Sequence, residues 1–386
     1  MTNLRQSNHA LNLQEFHEGA LVLESNPTVV FVELTQNCNL TCTMCRSAGA
    51  NYATLNMGDE LFDEIAKQLF PTAMMVDLRG WGESTIRPDF EEKVQKTIYY
   101  GPQIRLVTNA LSLRQSTWRL LMNSGAQVTV SVDAVVQKTA NKLNRGCLVR
   151  LKKSLEDGAA NAASAAVTAD PTINFNTVVS SVNILEIPAI IAMAAEFQVR
   201  RVTLFPVVAP RGSQLHIERN SSNIGMVLAD ATHVAREGNV ELRIGASLDE
   251  EHVNTGALPT RCSHPWSYAY ISYAGAVGYC DHLIGHESLT LGRFVGGSFT
   301  AIWNNPAFQA LRTEHRRHNQ TTIVNRIGCK AFKHCNWCYR RRYVDFEDEI
   351  HPSSFERVVG TSGHDPTEVS IDGPFLRDDF LNGGEL

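Results

Sequence analysis

Residues 28–45 read TVVFVELTQNCNLTCTMC, and this stretch decides the fold. Its first seven residues are mostly β-branched and apolar, which predicts a buried β-strand beginning at Thr28. The strand leads directly into a loop that carries Cys38, Cys42 and Cys45. We therefore expect a three-cysteine site at the carboxyl end of a buried strand.

The sequence that follows alternates between helical and strand patterns. Asp59 begins an amphipathic helix that Pro71 ends. Further helices are predicted at 89–100, 113–124, 137–160 and from about 188. Further strands are predicted at AMMVDLRG (73–80), QIRLVTNA (103–110), QVTVSVDA (127–134), INFNTVV (173–179) and RRVTLFPV (200–207). Six apolar strands separated by helices favour right-handed crossovers, a parallel sheet and an α/β fold, a partial (β/α)6 barrel of the TIM type. Ligands of such folds gather at the carboxyl ends of the strands.

Composition narrows the class of protein. The 386 residues include 35 basic and 40 acidic side chains, a net charge of −5, which gives no electrostatic reason to expect nucleic acid or an anionic membrane as the partner. No apolar run approaches the ~20 residues that span a bilayer, and the polar amino terminus lacks the core of a signal peptide. We therefore expect a cytoplasmic protein.

The nine cysteines indicate metal chemistry, because the cytoplasm keeps thiols reduced and a disulfide framework is not expected there. A second group lies in the last third of the chain. Within CSHPWSYAYISYAGAVGYC, Cys262 and Cys280 flank a strand, a turn at Gly275 and a second strand, so a hairpin would bring them together. A C-x-x-C pair, Cys335 and Cys338, could complete a four-thiolate site.

The first cysteine loop suits an iron–sulfur cluster with one open iron. A [4Fe-4S] cube has four irons, and Cys38, Cys42 and Cys45 supply three thiolates. The alternative from the residues alone is a zinc or structural site that takes a distant fourth ligand.

The C-x3-C-x2-C spacing after a first strand resembles the signature of the radical S-adenosylmethionine (SAM) superfamily. The resemblance implies that SAM chelates the open iron and that its reductive cleavage yields a 5′-deoxyadenosyl radical. Further motifs at strand ends resemble the family's SAM contacts, with Trp81 standing where the glycine-rich motif has a glycine. The implied SAM-binding residues are Gly80, Gly82, Glu83, Thr108, Asn109, Ser131, Asp133 and Arg145, the last beside Gly146 and suited to a bidentate grip on the SAM carboxylate.

The second cysteine group is similar to the twitch domain, the shorter form of the SPASM auxiliary-cluster domain. That resemblance implies an auxiliary [4Fe-4S] cluster held by Cys262, Cys280, Cys335 and Cys338; a complete SPASM domain needs seven cysteines, and five are present here. The predicted organisation is an N-terminal extension at 1–27, a barrel at 28–210, a linker at 211–258, the auxiliary domain at 259–345 and a tail at 346–386.

Several polar residues and two cysteines stay outside these assignments. Cys329 could replace an auxiliary ligand, pack as a buried apolar residue or donate a hydrogen atom to a substrate radical, and Cys147 could be structural or such a donor. Candidate proton acceptors are His264, Asp281 and His282, for each of which a surface position is the simpler expectation. Arg340, Arg341 and Arg342 could bind an anion or be solvated.

The resemblance to aminoglycoside-type radical SAM dehydrogenases leads to a first hypothesis about function: redox tailoring of an aminosugar, aminocyclitol or sugar nucleoside in natural-product biosynthesis, by dehydrogenation, dehydration, deoxygenation or epimerisation. Flavodoxin or ferredoxin would supply the electron. One alternative is modification of a ribosomally made peptide. It is disfavoured because only 27 residues precede the first strand, where peptide maturases often carry a leader-binding module. The other alternative is a non-catalytic iron–sulfur protein.

Overall fold

The computed structural model describes residues 2–45, 55–166, 170–207, 213–217, 222–244, 263–280 and 290–317. Its strands are β1 (Val29–Val32), β2 (Met75–Asp77), β3 (Gln103–Thr108), β4 (Gln127–Ser131), β5 (Thr172–Val179), β6 (Arg201–Pro206), β7 (Glu241–Ile244), β8 (Tyr268–Ile271), β9 (Ala276–Gly278) and β10 (Gly292–Arg293). Its helices are α1 (Thr2–Glu18), α2 (Asp59–Leu69), α3 (Phe90–Tyr100), α4 (Gln115–Asn123), α5 (Gln137–Lys142), α6 (Leu148–Ser164), α7 (Ile187–Glu196), α8 (Ser222–Glu237), α9 (His264–Ser267), α10 (Phe299–Trp303) and α11 (Pro306–Arg317). No helix among these residues is long and apolar enough to cross a bilayer.

The strands form one sheet in the order β10-β9-β8-β1-β2-β3-β4-β5-β6-β7. Strands β1 to β7 are all parallel to their neighbours, and β8 is parallel to β1. Strands β9 and β10 add antiparallel pairings at one edge. The predicted parallel α/β architecture is confirmed, and the hairpin predicted around Gly275 is present, with that glycine at φ +79° between β8 and β9.

One face of the strands packs against the helices and carries the main apolar core. Val30 and Val32 of β1 belong to the same buried cluster as Phe62 and Ile65 of α2. Val128 of β4 belongs to it as well, together with residues of every other strand from β2 to β6. We call this the outer face of the sheet. Burial of these side chains supplies the largest favourable contribution to folding.

The opposite side chains of the same strands form the inner face. Near β8, β1 and β2 this face carries a separate apolar group, the inner aromatic cluster: Val29, Phe31, Met75, Trp81, Tyr268 and Tyr270. Across the sheet from β2 towards β4, starting at Asp77, the inner face carries polar side chains. The register sets Phe31 beside Asp77, Asp77 beside Arg105, and Arg105 beside Gln127.

The structure departs from the predicted elements in three places. The stretch 137–160 is two helices rather than one, because the chain turns at Asn144 and Gly146, which have φ of 53° and 82°. The N-terminal extension contains α1, whose Asn12 side chain donates to the Trp266 carbonyl over 2.8 Å. The predicted linker contains α8 and β7, so the parallel sheet continues past residue 210.

A buried arginine joins α11, the last helix of the described residues, to the segment that follows α1. Arg312 donates to the Pro265 and Leu21 carbonyls, both over 2.9 Å, and its guanidinium lies 4.7 Å from the centre of the Trp303 ring. Burial lowers the pKa of Arg312 to about 9. The contacts with two carbonyls and an aromatic face offset part of the cost of removing this cation from water.

Candidate active site

The three cysteines of the first motif lie in the loop after β1. Cys42 is buried, Cys45 is half-buried and Cys38 is exposed. The Cys45 amide donates to the Cys42 carbonyl over 3.0 Å, which closes a tight turn between them. The structure therefore places three thiols on one short loop at a strand end, as the sequence predicts.

N–H groups from three directions point at these sulfurs. Arg145 Nη1 lies 3.1 Å from Cys42 Sγ, the Leu40 amide donates to Cys38 Sγ over 3.4 Å, and Asn109 Nδ2 lies 4.0 Å from Cys38 Sγ. Burial raises the pKa of Cys42, although the positive charge of Arg145 opposes that shift. Although the Cys38 residue as a whole is exposed, partial desolvation of its sulfur raises the pKa of Cys38 to about 11. Metal binding at this loop therefore has to displace thiol protons, and the N–H donors stabilise the resulting thiolates.

The segment after β2 packs tightly on the cysteine loop. The Gly82 amide donates to the Thr35 carbonyl over 3.3 Å, and the Glu83 amide donates to the Asn37 carbonyl over 2.6 Å. A Cβ atom on Gly82 would lie 2.2 Å from that Asn37 carbonyl oxygen, which is far inside van der Waals contact. Trp81, the departure from the family motif, turns into the inner aromatic cluster and leaves these backbone contacts in place.

Glu83 is a buried carboxylate that joins two strand ends. Its Oε1 accepts from the hydroxyls of Thr85 and Thr108 over 2.6 and 2.7 Å, and its Oε2 accepts from the Asn109 amide over 2.7 Å. Because each carboxylate oxygen can accept about two hydrogen bonds, Oε2 retains capacity for a further donor. The structure thus brings the predicted residues Glu83, Thr108 and Asn109 together.

Arg145 connects the end of β4 to the cysteine loop. Its Nε lies 2.8 Å from Asp133 Oδ2, its Nη2 donates to the Ser131 carbonyl, and its Nη1 faces Cys42. Burial alone lowers the pKa of Arg145, but the charges of Asp133 and Cys42 raise it above its ordinary value. All three guanidinium nitrogens thus have protein partners, so a bidentate grip on a SAM carboxylate would require an exchange of these contacts.

Sequence reasoning missed Glu33, a fully buried acid on the inner face at the end of β1. Glu33 Oε1 accepts from the Trp81 amide over 3.1 Å, and Oε2 accepts from the Tyr270 hydroxyl over 2.9 Å. Burial raises the pKa of Glu33, and these hydrogen bonds oppose the shift. Glu33 therefore joins the segment after β2 to strand β8. The available signal was an acid inside the apolar run TVVFVEL.

Sequence reasoning also missed the polar inner face. Asp77 Oδ2 accepts from Arg79 Nε over 2.8 Å and from Arg105 Nε over 2.6 Å. Farther along the sheet, Arg201 and Arg243 both contact Glu241. The signal was the alternation of charged and apolar residues within strands predicted to be buried, which indicates that one face is polar.

The remaining candidates are divided between described and undescribed residues. Cys147 is exposed and lines an open surface cleft of about 540 Å³ together with Asn39, Asn141 and Asn144. His264 is fully buried and stacks on Tyr268 with ring centres 4.6 Å apart, so its predicted surface position is wrong. Cys280 is buried just after β9. Cys262, Asp281, His282, Cys329, Cys335, Cys338, Arg340, Arg341 and Arg342 lie outside the described residues.

The first cysteine loop has the chemistry of an iron–sulfur ligand set. It offers three thiols and N–H donors directed at two of them, and hydrogen bonds to sulfur are a main protein influence on such clusters. Among the described residues, no group of three or more His, Cys, Asp or Glu side chains already stands in a metal-ligand arrangement, so a cluster would have to draw the three cysteine side chains together. The residues present fit a cluster bound by Cys38, Cys42 and Cys45.

Comparison with known proteins identifies the C-terminal part of the chain. Residues 262–339 match the SPASM iron–sulfur cluster-binding domain. This match includes all four predicted auxiliary ligands and Cys329.

Relatives and solved structures resemble most of the chain. It is 23% identical over 360 residues to the AdoMet-dependent heme synthase of Methanosarcina barkeri. The matched region covers 87% of this chain and 97% of that protein. It is 24% identical over 293 residues to the mycofactocin maturase MftC of Mycobacterium ulcerans, covering 74% and 77% of the two chains. The crystal structure of Streptococcus suis SuiB bound to S-adenosylmethionine superposes with a TM-score of 0.61 at 15% identity, covering 79% of this chain and 71% of SuiB.

Residues 262–339 thus match a SPASM iron–sulfur domain, and the parallel partial barrel with its three-cysteine loop resembles that of the radical SAM proteins to which this chain is similar. The predicted fold class is confirmed, and so is the prediction that the cofactors are SAM and [4Fe-4S] clusters. Which residues hold each cofactor stays a prediction.

Proposed function

We propose that this protein initiates radical chemistry with a [4Fe-4S] cluster held by Cys38, Cys42 and Cys45 and with SAM bound beside it. The observation that carries the proposal is the contact of Arg145 with both Asp133 and Cys42, because it ties the cysteine loop to a strand end of the barrel. When bound, a reduced cluster would give one electron to SAM, and cleavage of SAM to methionine would supply a 5′-deoxyadenosyl radical that takes a hydrogen atom from the substrate.

The protein's own residues would hold the SAM methionine group in place. The free acceptor capacity of Glu83 Oε2 suits an ammonium group, and the backbone around Gly82 allows close approach to the cysteine loop. The predicted contacts of Gly80, Thr108, Asn109 and Ser131 with SAM belong to the same proposal. Glu83 is buried, so a bond from an ammonium group to it would be strengthened by the low local dielectric.

For the overall reaction we propose redox tailoring of an aminosugar, aminocyclitol or sugar nucleoside. The inner face, which borders the site, is rich in hydroxyl, amide and charged side chains suited to such a substrate. An auxiliary cluster held by Cys262, Cys280, Cys335 and Cys338 would accept the electron left on a substrate radical after a proton is lost. Flavodoxin or ferredoxin is the proposed electron donor for radical initiation.

A peptide substrate is the second candidate. It is favoured by the similarity to a mycofactocin maturase over 74% of this chain. Incubation with SAM, dithionite and candidate substrates separates the two: a small-molecule product changed in mass by two hydrogens or one water supports the first candidate. Capture and modification of a precursor peptide, with no small molecule turned over, supports the second.

The triple variant Cys38→Ala, Cys42→Ala, Cys45→Ala tests radical initiation. Anaerobically reconstituted wild-type protein should contain about eight irons per chain, and the triple variant about four, because one cluster of four irons is lost. SAM cleavage on reduction should disappear with that cluster.

The matched control is Cys147→Ala, which removes an exposed cysteine near the same loop and should leave the iron content unchanged. Persistence of about eight irons in the triple variant would contradict the assignment.

A further inference from the structure

The open surface cleft of about 540 Å³ borders the loop that carries the three cysteines. Residues 39–41, which lie between Cys38 and Cys42, belong to its lining. The rest of the lining comes from α5 and from the turn that leads into α6, and Asn144 of that turn donates to the Thr41 carbonyl over 3.2 Å. A molecule seated in the cleft would therefore touch residues that adjoin two of the proposed cluster ligands.

The side of the cleft that α5 and α6 form is positively charged. Residues 134–155, which include all of α5 and the first half of α6, contain six basic side chains and no acidic one. The whole chain has a net charge of −5, so this segment has the opposite sign to the molecule that carries it. Neither helix has an acid in its first turn, so the partial positive charge of each helix N-terminus adds to the local potential.

Three exposed cations of this segment lie beside the cleft. Lys138 and Lys142 are four residues apart on α5, and each directly follows a residue that lines the cleft. Among the described residues, neither lysine forms an ion pair with a carboxylate. Arg150 donates to the Leu111 carbonyl over 3.1 Å, and the Leu111 side chain lies against Gly146 of the cleft. The cations therefore stand around the cleft with their charge available to a partner.

Two exposed apolar side chains lie among these cations. Val136 is 50% exposed and Val149 is 76% exposed. They adjoin Gln137 and Leu148, which are joined because the Gln137 Oε1 atom accepts from the Leu148 amide over 2.9 Å. Apolar groups with charged residues around them are typical of surfaces that bind another protein. We call this set of residues the basic surface: Val136, Lys138, Lys142, Val149 and Arg150.

We propose that the basic surface is the docking site of a small acidic electron-transfer protein that reduces the cluster. The inference rests on the proposed function and assigns a surface to its electron donor. In the docked pair the reduced partner loses one electron and the oxidised cluster gains it, and no bond is made or broken. Opposite charge speeds the encounter of the two proteins, and a small interface lets the oxidised partner leave again.

The double variant Lys138→Glu, Lys142→Glu tests the surface by reversing two exposed charges. It should keep the iron content of wild type and a melting temperature within about 3 °C of it. Calorimetry at about 20 mM salt should show that an acidic flavodoxin, or an acidic ferredoxin, binds the reconstituted variant at least about tenfold more weakly than wild-type holoenzyme. The difference should fall below about threefold at about 0.5 M salt, because salt screens exposed charges.

A second double variant controls for net charge. Lys67→Glu, Arg236→Glu reverses two exposed cations on α2 and α8, outside the basic surface, and changes the net charge by the same amount. It should alter binding of the acidic partner by less than about twofold. Val149→Ser removes exposed apolar area without changing charge, so it should weaken binding about two- to fivefold at both salt concentrations.

SAM cleavage gives an independent measurement of the same contact. At low salt, formation of 5′-deoxyadenosine driven by the reduced partner should be at least about tenfold slower in Lys138→Glu, Lys142→Glu than in wild type. Reduced methyl viologen is a small cation that needs no protein interface. It should drive SAM cleavage by this variant at least as fast as by wild type.

The proposal is overturned if neither acidic protein binds wild-type holoenzyme, if Lys138→Glu, Lys142→Glu binds as wild type does, or if the control double variant loses as much affinity. Binding of a single-stranded RNA oligonucleotide or an acidic decapeptide, with no binding of flavodoxin or ferredoxin, would assign the surface to another class of partner and also overturn it. Failure of the proposed function is a separate result, namely absence of SAM cleavage by wild-type holoenzyme reduced with methyl viologen.

Discussion

The two faces of the barrel strands differ in composition, although alternate residues of the same strands form both. On β4 the outer face presents Val128 and Val130 to the core, whereas the inner face presents Gln127 and Thr129. Parallel sheets covered on both sides are usually apolar on both. Apolar burial on the outer face therefore supplies most of the stability, whereas the inner face retains buried polar groups whose desolvation costs free energy.

The strongest way to test this contrast is to break the charge pairing of the inner face. Asp77→Ala should lower the free energy of unfolding by about 3–5 kcal/mol, because it leaves the buried guanidinium of Arg105 without its carboxylate. Chemical denaturation of the purified protein measures this change.

The double variant Asp77→Leu, Arg105→Met is the control, since it removes both buried charges together. It should recover at least half of the loss, because a buried pair replaced by apolar side chains is often neutral. A cost below about 1 kcal/mol for Asp77→Ala would show that this pair is solvated rather than buried.

Neighbouring residues of β3 allow a direct comparison of the two faces. Leu106→Ala on the outer face should cost about 2–5 kcal/mol, because it leaves a cavity in the main core. Val107→Ala on the inner face, where the side chain is half-buried, should cost roughly 1 kcal/mol or less. Denaturant titrations of the two variants provide the measurement, and equal losses would contradict the division of roles.

The smallest expected effect is the pH dependence contributed by Glu33. Since burial raises its pKa above the ordinary 4.5, the folded protein holds this proton to a higher pH than the unfolded chain does. Its contribution to stability is therefore most favourable at low pH, and it is lost as the pH rises through the folded pKa. Thermal melts between pH 5 and 8, compared for wild type and Glu33→Gln, should show a weaker decline with pH in the variant.

Glu24→Gln, which alters an exposed acid near the start of β1, is the control and should leave the decline as in wild type. An identical pH profile for Glu33→Gln and wild type would contradict the raised pKa.

Much of this architecture could be predicted from the sequence because periodicity reports burial. The apolar runs that became β1 to β6 and the amphipathic pattern that became α2 were predicted within a few residues of their ends. The strand ends also placed Glu83, Asn109 and Asp133 near the cysteines, since parallel strands align their carboxyl ends. The spacing of Cys38, Cys42 and Cys45 was by itself sufficient to predict that the three cysteines lie on one loop after β1.

The elements that were missed had no such pattern. Helix α1 buries polar side chains such as Asn12 and Glu15, whose partners lie elsewhere in the chain, so its own sequence does not indicate a buried face. Strand β7 exposes part of its inner face at the sheet edge and lacks an apolar run. The roles of Glu33 and Asp77 depend on Tyr270 and Arg105, which are distant in sequence, and local propensity carries no information about such pairings.

The pairing of β8 with β1 has a consequence for the order of assembly during translation. Val29 aligns with Tyr268, so nearly the whole barrel must leave the ribosome before β1 gains its second neighbour. Until then β1 is an edge strand with unpaired backbone groups and an apolar sequence, which is a site for mispairing and chaperone binding. A nascent chain arrested before residue 263 should therefore bind chaperones more strongly than one arrested after residue 317.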